Sequence, residues 1–344
     1  MTIKIRYAGY STDLSHPADR RRIGILLSDK NVEILPSSAQ EFDLSILSSN
    51  SNYSKFFGQA TSKPSYIDLV DGYLAPGQNV IGDAARNILR SAFGKSDFTS
   101  LKYTTHIKKA LKKATGCIVP SEEIASHVAP FNENIQIIAD SHSEFEPTKY
   151  DDKSIGILWH GFGTNLKHLL EIAPQLDSFL ELNNFRLKVV TQLNFYRFGN
   201  RFVRINSVES LVKRFPKSFK QIDFLPWTKE NVIEAASKSR FAIIPIAEND
   251  AFAMAKSENK LLEMWTLGIP TITSRTPSYK RVFHSVNQSE NCIENSQWSN
   301  ALSELARDGI RLRNMRKIGM EYIRSCHTDE ILISKWKEFL EVPL

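Results

Sequence analysis

Short, continuous apolar runs alternate with longer amphipathic segments along almost the whole chain. The runs are rich in β-branched residues and comprise IKIRYAG (3–9), DLSILSS (43–49), SYIDLVD (65–71), GCIVPS (116–121), NIQIIAD (134–140), SIGILWHG (154–161), FRLKVVTQL (185–193), QIDFLPW (221–227), RFAIIPI (240–246) and IPTITS (269–274). Continuous rather than alternating apolar runs are typical of parallel strands buried on both faces. Their alternation with helical patterns, such as PADRRRIGILLSD (17–29), predicts doubly wound α/β domains that bind ligands at the carboxyl ends of the strands.

The length of 344 residues favours two domains. The stretch DSHSEFEPTKYDDKS (140–154) is polar and lacks a helical period, so it marks a boundary. We therefore predict one domain at 1–145 and a second at 146–327. The segment TDEILISKWKEFLE has apolar residues at helical spacing and predicts a C-terminal helix within 328–344.

The composition of the chain restricts the classes of protein to which it can belong. The chain is 42% hydrophobic and 24% charged, which is ordinary for a globular protein. Its net charge of +6 is too small to indicate a nucleic-acid-binding tail but favours anionic partners. The cysteines Cys117, Cys292 and Cys326 lack a zinc spacing and indicate a reducing compartment. The N-terminus does not have the pattern of a signal peptide, and no run reaches the length of a membrane helix, so we expect a cytoplasmic protein.

The stretch AKSENKLLEMWTLGIPTITS (255–274) predicts a helix followed by a strand. Four polar residues share one face of this helix: Lys256, Asn259, Lys260 and Glu263. We expect Ser257 to cap the helix, whose first N–H groups and lysines would then bind a phosphate. Glu263 would accept hydrogen bonds from sugar hydroxyls. The alternative is an ordinary solvated helix face, although lysines at a helix N-terminus oppose the macrodipole unless an anion binds there.

A second candidate is the glycine turn in ILWHGFGTNLKHL (157–169). Gly161 and Gly163 lie between a strand pattern and a helix pattern that contains Lys167. Such glycines let backbone N–H groups approach phosphate oxygens, although they can also simply tighten a strand-to-helix connection.

These features resemble the GT-B glycosyltransferases, in particular the family 4, or group 1, type of retaining enzymes. The resemblance is carried by NKLLEMWTLGIPTITS (259–274), FLPWTKENVIEAASKSRFAIIPI (224–246) and ILWHGFGTNLKHLLEIAPQL (157–176), and more weakly by KKATGCIVPSEEIASHV (112–128). It implies two Rossmann-like domains facing a cleft. The first would bind the acceptor and the second the nucleotide-sugar donor, and the C-terminal helix would cross back to the first.

The resemblance also implies roles for residues of the second domain. Glu263 would bind the ribose of the donor, and Lys260 or Lys256, together with Lys167, would bind its diphosphate. Gly161 would form the donor-domain loop.

The chain departs from the family at two positions. Ala255 stands where the family often has the first glutamate of a Glu-x7-Glu pair, and Phe162 stands where an arginine commonly follows the loop glycine. Sugar placement and phosphate charge would then fall to Lys256, Ser257, Glu258 and Asp250, or to groups that the sequence does not identify.

Candidate catalytic residues lie in AGYSTDLSHPADRRR (8–22), the loop after the first strand. In such a fold an inverting enzyme would need a base there, and His16 and Asp19 are the candidates. A retaining enzyme needs mainly stabilisation of the leaving diphosphate, for which lysines suffice. Alternatively, His16 simply starts a helix and Asp19 lies in its first turn.

The segment LKYTTHIKKALKKATG (101–116) predicts an amphipathic basic helix. The resemblance would let it touch anionic lipid or a lipid-linked acceptor at the inner face of the membrane. The alternative is a surface helix packed on its own sheet.

The resemblance thus implies a metal-independent, cytoplasmic hexosyltransferase, with retaining chemistry favoured. It would move a sugar from a nucleotide-diphosphate-sugar, without a further cofactor, to a hydroxyl of a glycan or lipid-linked acceptor in cell-envelope polysaccharide synthesis. No DxD metal motif and no nucleic-acid-binding pattern is present in the sequence. Two alternatives stay open: a UDP-sugar 2-epimerase-like enzyme, and a non-catalytic GT-B protein that binds sugar nucleotides or a partner.

Overall fold

The computed structural model describes residues 2–57, 62–77, 80–95, 102–196 and 202–342. The chain divides into two compact units, described separately below. Unit 1 comprises Met1–Ser141, Ala255–Ser257 and His327–Leu344, and unit 2 comprises His142–Met254 and Glu258–Cys326.

Unit 1 contains a six-stranded sheet in which every pairing is parallel. Its strands are β1 (Ile3–Ala8), β2 (Val32–Pro36), β3 (Leu44–Ser48), β4 (Ser65–Asp68), β5 (Gly116–Val119) and β6 (Ile135–Ile137), in the order β2-β1-β3-β4-β5-β6. The runs predicted as strands in this part of the chain are confirmed. β2 was not predicted, because its half-buried pattern lacks a long apolar run.

The helices of unit 1 are Pro17–Arg20, Tyr53–Phe57, Val80–Ala92, Tyr103–Leu111, Glu122–Val128 and Asp329–Phe339. The single helix predicted at 17–29 is wrong: its α-helical part ends at Arg20, and a 3-10 helix follows at Ile23–Ser28. Arg22 separates the two with non-helical dihedral angles (φ −119°, ψ −93°). Its guanidinium turns inward and pairs with the buried carboxylate of Asp68, at 2.7 Å.

The C-terminal helix Asp329–Phe339 packs within unit 1, as the predicted fold requires. Lys337 Nζ lies 2.9 Å from Asp29 Oδ2, and the ring of Phe339 meets that of Tyr66 edge to face at 5.3 Å. Trp336 is completely buried. The last helix therefore completes the core of the unit that contains the first strand.

Unit 2 contains a second parallel six-stranded sheet and a short antiparallel hairpin. Its strands are β7 (Gly156–His160), β8 (Arg186–Thr191), β9 (Asn194–Tyr196), β10 (Phe202–Asn206), β11 (Ile222–Pro226), β12 (Phe241–Ile244), β13 (Thr271–Ser274) and β14 (Cys292–Ile293). The sheet order is β11-β8-β7-β12-β13-β14, and β9 pairs with β10. The predicted strands of this half are confirmed, whereas β9, β10 and β14 were not predicted.

The helices of unit 2 are Leu166–Glu171, Ala173–Asn183, Ser207–Arg214, Lys229–Ser237, Ala251–Met254, Asn259–Thr266, Pro277–Ser285, Trp298–Leu305 and Gly309–Cys326. The helix Asn259–Thr266 buries Leu261, Leu262 and Trp265 and is followed by Gly268 at φ +69°. These buried residues fix which face of the helix remains for a ligand.

In each sheet the order of the strands turns around at the first strand of the unit, which has later strands on both of its sides. β2 and β3 flank β1 in unit 1, and β8 and β12 flank β7 in unit 2. In doubly wound sheets, ligands bind beside the carboxyl ends of the two strands at such a reversal. The topology therefore points to the ends of β1 and β3 and to the ends of β7 and β12.

Within the described residues, no helix combines the length and apolar character needed to cross a membrane.

Candidate functional site

Lys260 reaches the carboxyl end of β7 in unit 2. Its Nζ donates a hydrogen bond to the carbonyl oxygen of His160 (2.7 Å) and lies 5.4 Å from the centre of the Trp159 ring. A Cβ added to Gly161 would come within 2.6 Å of this Nζ, so the missing side chain makes room for the ammonium group. The structure thus brings together two residues that the sequence predicts for phosphate binding, at the strand end that the topology selects.

Glu263 lies one helical turn beyond Lys260 and is buried. Its Oε1 is 3.6 Å from Nε2 of His160, which is also buried. His160 was not predicted as a site residue, although its position immediately before Gly161 was a signal that could have identified it. The two side chains are therefore close to each other at the carboxyl end of β7.

Lys167 forms a salt bridge with Asp250, which lies in the loop that follows β12. Beside them, His168 Nδ1 accepts a hydrogen bond from the backbone N–H of Ala247 (3.2 Å). Burial alone would raise the pKa of Asp250, but hydrogen bonds from Lys167 and from the backbone N–H of Ala253 hold it below its ordinary value. Part of the charge of Lys167 is therefore already balanced, and Lys260 is the stronger candidate for binding an anion.

The salt bridge predicts a pH dependence. Because the folded pKa of Asp250 is depressed, its contribution to stability is present above the unfolded value of about 3.9 and is lost as the pH falls through the folded value. We expect Lys167→Met to raise the pKa of Asp250, measured by NMR titration of its carboxyl carbon. Lys213→Met, on another helix of unit 2, serves as the control. An unchanged titration midpoint in Lys167→Met would contradict the assignment.

The start of the helix corrects two predictions. The helix begins at Asn259 with Glu258 at the N-cap, so Ser257 does not cap it and Lys256 does not lie on its polar face. Glu258 is held by Arg281, with 3.0 Å between Oε1 and a guanidinium nitrogen. The Glu258 side chain makes no capping hydrogen bond to the helix. Asn259 and Lys260 remain in its first turn.

Lys256 and Ser257 belong to unit 1. Lys256 Nζ is 3.8 Å from Asp71 Oδ1, and Ser257 is buried. A Cβ on Gly72 would lie 2.6 Å from the Cβ of Ala255, which is itself buried. Ala255 is therefore packed closely against Gly72.

Gly163 and Phe162 complete the loop after β7. A Cβ on Gly163 would come within 2.3 Å of the Phe195 ring, and its N–H donates to Gln192 Oε1 (3.2 Å). Packing therefore accounts for this glycine. Phe162 is 49% exposed and stacks on Trp227, with 6.2 Å between ring centres and 25° between planes. The loop after β7 therefore presents a flat aromatic surface.

The two catalytic candidates lie in unit 1 and have structural partners. Asp19 is completely buried and accepts four hydrogen bonds: from Tyr7 Oη (2.7 Å), Tyr10 N (2.9 Å), Ser11 N (2.7 Å) and Ser11 Oγ (2.9 Å). His16 is the N-cap of Pro17–Arg20, and its Nδ1 accepts the N–H of Ala18 (3.2 Å). Burial lowers the pKa of His16. Both residues therefore occupy the positions that the structural alternative predicts.

A cavity of about 720 Å³ opens beside these residues at the carboxyl ends of β1 and β2. Its wall is rich in hydroxyl and amide groups, including those of Ser11, Thr12 and Asn52, and contains Lys55 and Lys95. A cavity of this size accommodates a small ligand. It extends to the loop after β3, so it lies at the switch point of the first sheet.

The basic helix Tyr103–Leu111 packs its apolar side within unit 1. Ile107 and Leu111 are completely buried, whereas Lys108 and Lys109 are exposed. The apolar side thus behaves as the alternative of a helix packed on its own sheet predicts. Residue 101 of the predicted segment lies outside the described residues.

No group of three or more His, Cys, Asp or Glu side chains that could hold a metal ion is found among the described residues.

No family model matches the chain, and no curated protein matches it. Among solved structures it is similar to TarM, with a TM-score of 0.62 and 11% identity over 86% of this chain and 54% of TarM. A structure of S. aureus TarM with fondaparinux, alpha-GlcNAc-glycerol and UDP gives 0.61 and 12%, over 86% of this chain and 55% of the other.

WaaG, a glycosyltransferase involved in lipopolysaccharide biosynthesis, gives a TM-score of 0.53 and 12% identity over 98% of both chains. The chain thus spans about half the length of TarM and nearly all of WaaG. At these identities the likeness concerns the fold. The chain has the two-sheet GT-B fold of these glycosyltransferases, as its sequence predicts.

Proposed function

We propose that the chain is a glycosyltransferase that moves a hexose from a nucleotide-diphosphate-sugar to a hydroxyl group of a glycan or lipid-linked acceptor. The observation that carries this proposal is the placement of Lys260 against Gly161 at the carboxyl end of β7. A cation beside a side-chain-free backbone turn, at the reversal point of a doubly wound sheet, is suited to a diphosphate.

In this proposal, Lys260 binds the diphosphate and neutralises the charge that develops on it as the sugar leaves. Lys167, on the adjacent helix, adds positive charge near the same diphosphate. Glu263 accepts hydrogen bonds from the ribose hydroxyls after its carboxylate turns from His160. The aromatic pair Phe162 and Trp227 offers a surface on which a base or sugar ring can stack. No step requires a metal ion or a further cofactor.

Retaining transfer is favoured within this proposal. An inverting enzyme needs a general base for the acceptor hydroxyl. Asp19 is committed to four hydrogen bonds and His16 caps a helix, so neither is arranged as a base. A retaining reaction depends mainly on the stabilised diphosphate leaving group, which Lys260 supplies.

The acceptor would bind in the cavity of unit 1. Hydroxyl and amide groups along its wall match the hydroxyls of a glycan, and Lys55 and Lys95 favour an acceptor with an anionic substituent. The exposed lysines of the helix Tyr103–Leu111 would hold a lipid-linked acceptor at the inner face of the membrane in a cytoplasmic enzyme. That TarM was solved with UDP and a GlcNAc-glycerol supports these substrate classes for a protein of this fold.

A second candidate is a protein that binds sugar nucleotides without turnover. It is favoured by Phe162, which replaces a family arginine, and by the close packing of Ala255, which leaves no space for a glutamate. Release of nucleotide diphosphate in the presence of an acceptor distinguishes the two candidates.

A thermal-shift screen with UDP-, GDP-, ADP- and TDP-sugars tests the donor site. We expect at least one of them to raise the melting temperature of the wild type, and Lys260→Ala and Glu263→Ala to abolish the shift. Lys256→Ala is a matched control, because this lysine lies off the helix. If no nucleotide-sugar raises the melting temperature, the proposal fails.

Gly161→Ala provides a further prediction. The new methyl group would displace the end of a flexible lysine side chain, which costs little, so we expect less than about 1 kcal/mol of lost stability. Because the ammonium moves away from the backbone turn, we expect donor affinity to fall about tenfold. Urea unfolding and isothermal titration calorimetry measure the two effects. Unchanged affinity would contradict the role assigned to this contact.

A further inference from the structure

A second cavity in unit 2 has a cationic wall. It encloses about 450 Å³ between the helix Gly309–Cys326 and the segment at residues 148–150. Its ionisable wall residues, apart from Tyr150, are Lys149, Arg313, Arg316, Lys317, Arg324 and Glu321. Five of these are cations and one is an acid, in a chain whose net charge is only +6. We call it the cationic cavity.

The helix concentrates these charges on one side. Arg313, Lys317 and Arg324 are exposed and lie at spacings i, i+4 and i+11. Like charges at i and i+4 destabilise a helix, and an ordinary solvated face usually mixes both signs. Asp152 pairs with Arg313, and Glu321 lies 3.9 Å from Lys317. These two carboxylates therefore balance only part of the positive charge of the five cations. A bound anion would balance more of it.

Arg316 is held in a fixed orientation. Its Nε donates to the carbonyl oxygen of Gly268 (2.8 Å), and one terminal nitrogen donates to that of Thr148 (3.3 Å). The guanidinium also lies over the ring of Tyr150, at 5.4 Å from its centre. An arginine fixed in this way loses little conformational entropy when it binds a ligand, which favours a site over a mobile surface charge.

The cationic cavity is separate from the donor site. Gly268, which bonds to Arg316, precedes the amino end of β13, whereas Gly161 and Asp250 follow the carboxyl ends of β7 and β12. The amino ends and the carboxyl ends of parallel strands lie on opposite sides of the sheet. An anion in this cavity would therefore occupy a second site, distinct from the site of the donor diphosphate.

We propose that the cationic cavity binds a ligand that carries three or more phosphate groups. Guanidinium groups match the oxygens of phosphate in pairs, and several cations around one concave surface favour a multiply charged anion over a single carboxylate. The volume accommodates a small molecule. This site goes beyond the proposed transferase activity and does not depend on it.

Isothermal titration calorimetry with inorganic tripolyphosphate tests the proposal. The Lys260→Ala protein is used throughout, so that binding at the donor site does not contribute. We expect saturable binding that weakens as salt is raised, and a 10- to 100-fold loss in a variant that adds Lys149→Ala and Arg324→Ala. A matched control adds Lys213→Ala and Arg307→Ala, which remove the same charges elsewhere in unit 2. Equal affinity in the two variants, or no binding at all, would overturn the proposal.

Vesicles that contain an anionic phospholipid distinguish a soluble ligand from a membrane surface. We expect tripolyphosphate to bind without vesicles. If only vesicles bind, and tripolyphosphate does not compete with them, the surface is a membrane contact and the proposal of a small phosphate ligand is wrong. Circular dichroism of both variants shows whether each is folded.

Discussion

Replacement of Lys260 by alanine is expected to lower kcat/KM for sugar transfer by about 100-fold or more, because preorganised positive charge at a leaving group contributes strongly to the transition state. The ammonium lies against His160 and Gly161, where the diphosphate is proposed to bind. Release of nucleotide diphosphate, measured with the donor and acceptor pair that turns over, gives the rate. Lys260→Arg should retain more activity than alanine because it preserves the charge.

Lys256→Ala is the comparison that makes this result specific. It removes a lysine only four positions away, but one that lies outside the helix and near Asp71. We expect its effect on kcat/KM to be much smaller. Equal losses in Lys256→Ala and Lys260→Ala would indicate that net charge, and not the position of Lys260, governs the reaction.

The largest expected effect on stability comes from Arg22→Met. Arg22 is completely buried and bonds to Asp68, to Asp140 (3.0 Å) and to the carbonyl oxygen of Ile138 (2.7 Å). Burial opposes its charge, but the two carboxylates outweigh this and raise its pKa above the ordinary value. Removal of one partner of such a network leaves buried charge uncompensated and costs about 3–5 kcal/mol. Hydrogen exchange of peptides from β4 and β5 during urea unfolding reports on unit 1.

Two further variants separate this mechanism from a general loss of packing. Arg20→Met changes an exposed arginine of the same segment and should cost less than about 1 kcal/mol. The double variant Arg22→Met/Asp68→Leu removes the charges of Arg22 and Asp68 together. It should therefore be more stable than Arg22→Met alone. If the double variant is no more stable than Arg22→Met, uncompensated charge is not the cause.

The fold could be predicted where burial leaves a clear pattern. Strands buried on both faces, such as β5, β7 and β12, are continuous apolar runs and were found in the sequence. β2 is half exposed, and β14 has only two residues, so neither gives a pattern that differs from a loop.

The candidate site could be predicted in part. Gly161, Lys260 and Glu263 are close in the structure because strand and helix are adjacent in the fold, which the family resemblance anticipates. The predicted stripe extended too far, since periodicity alone cannot show that Glu258 starts the helix after Lys256. Helix ends are the least regular part of a helix, and a boundary inferred from a pattern can be wrong by one or two residues.

Contacts between distant residues account for what the sequence could not reveal. Nothing in the sequence distinguishes Arg22 from the arginines beside it, and only the fold brings Asp68 and Asp140 to it. Asp19 looked like a candidate base, yet its hydrogen bonds from Tyr7, Tyr10 and Ser11 depend on how the loop folds over it.

The most direct test of the donor site is hydrogen exchange with and without the nucleotide-sugar that gives the largest thermal shift. We expect the ligand to slow exchange in residues 157–169 and 259–266, which contain Gly161, Lys260 and Glu263, and to leave residues 309–326 unchanged. Saturable binding without protection of either donor-site segment would contradict the proposal that the nucleotide-sugar binds at the carboxyl ends of β7 and β12.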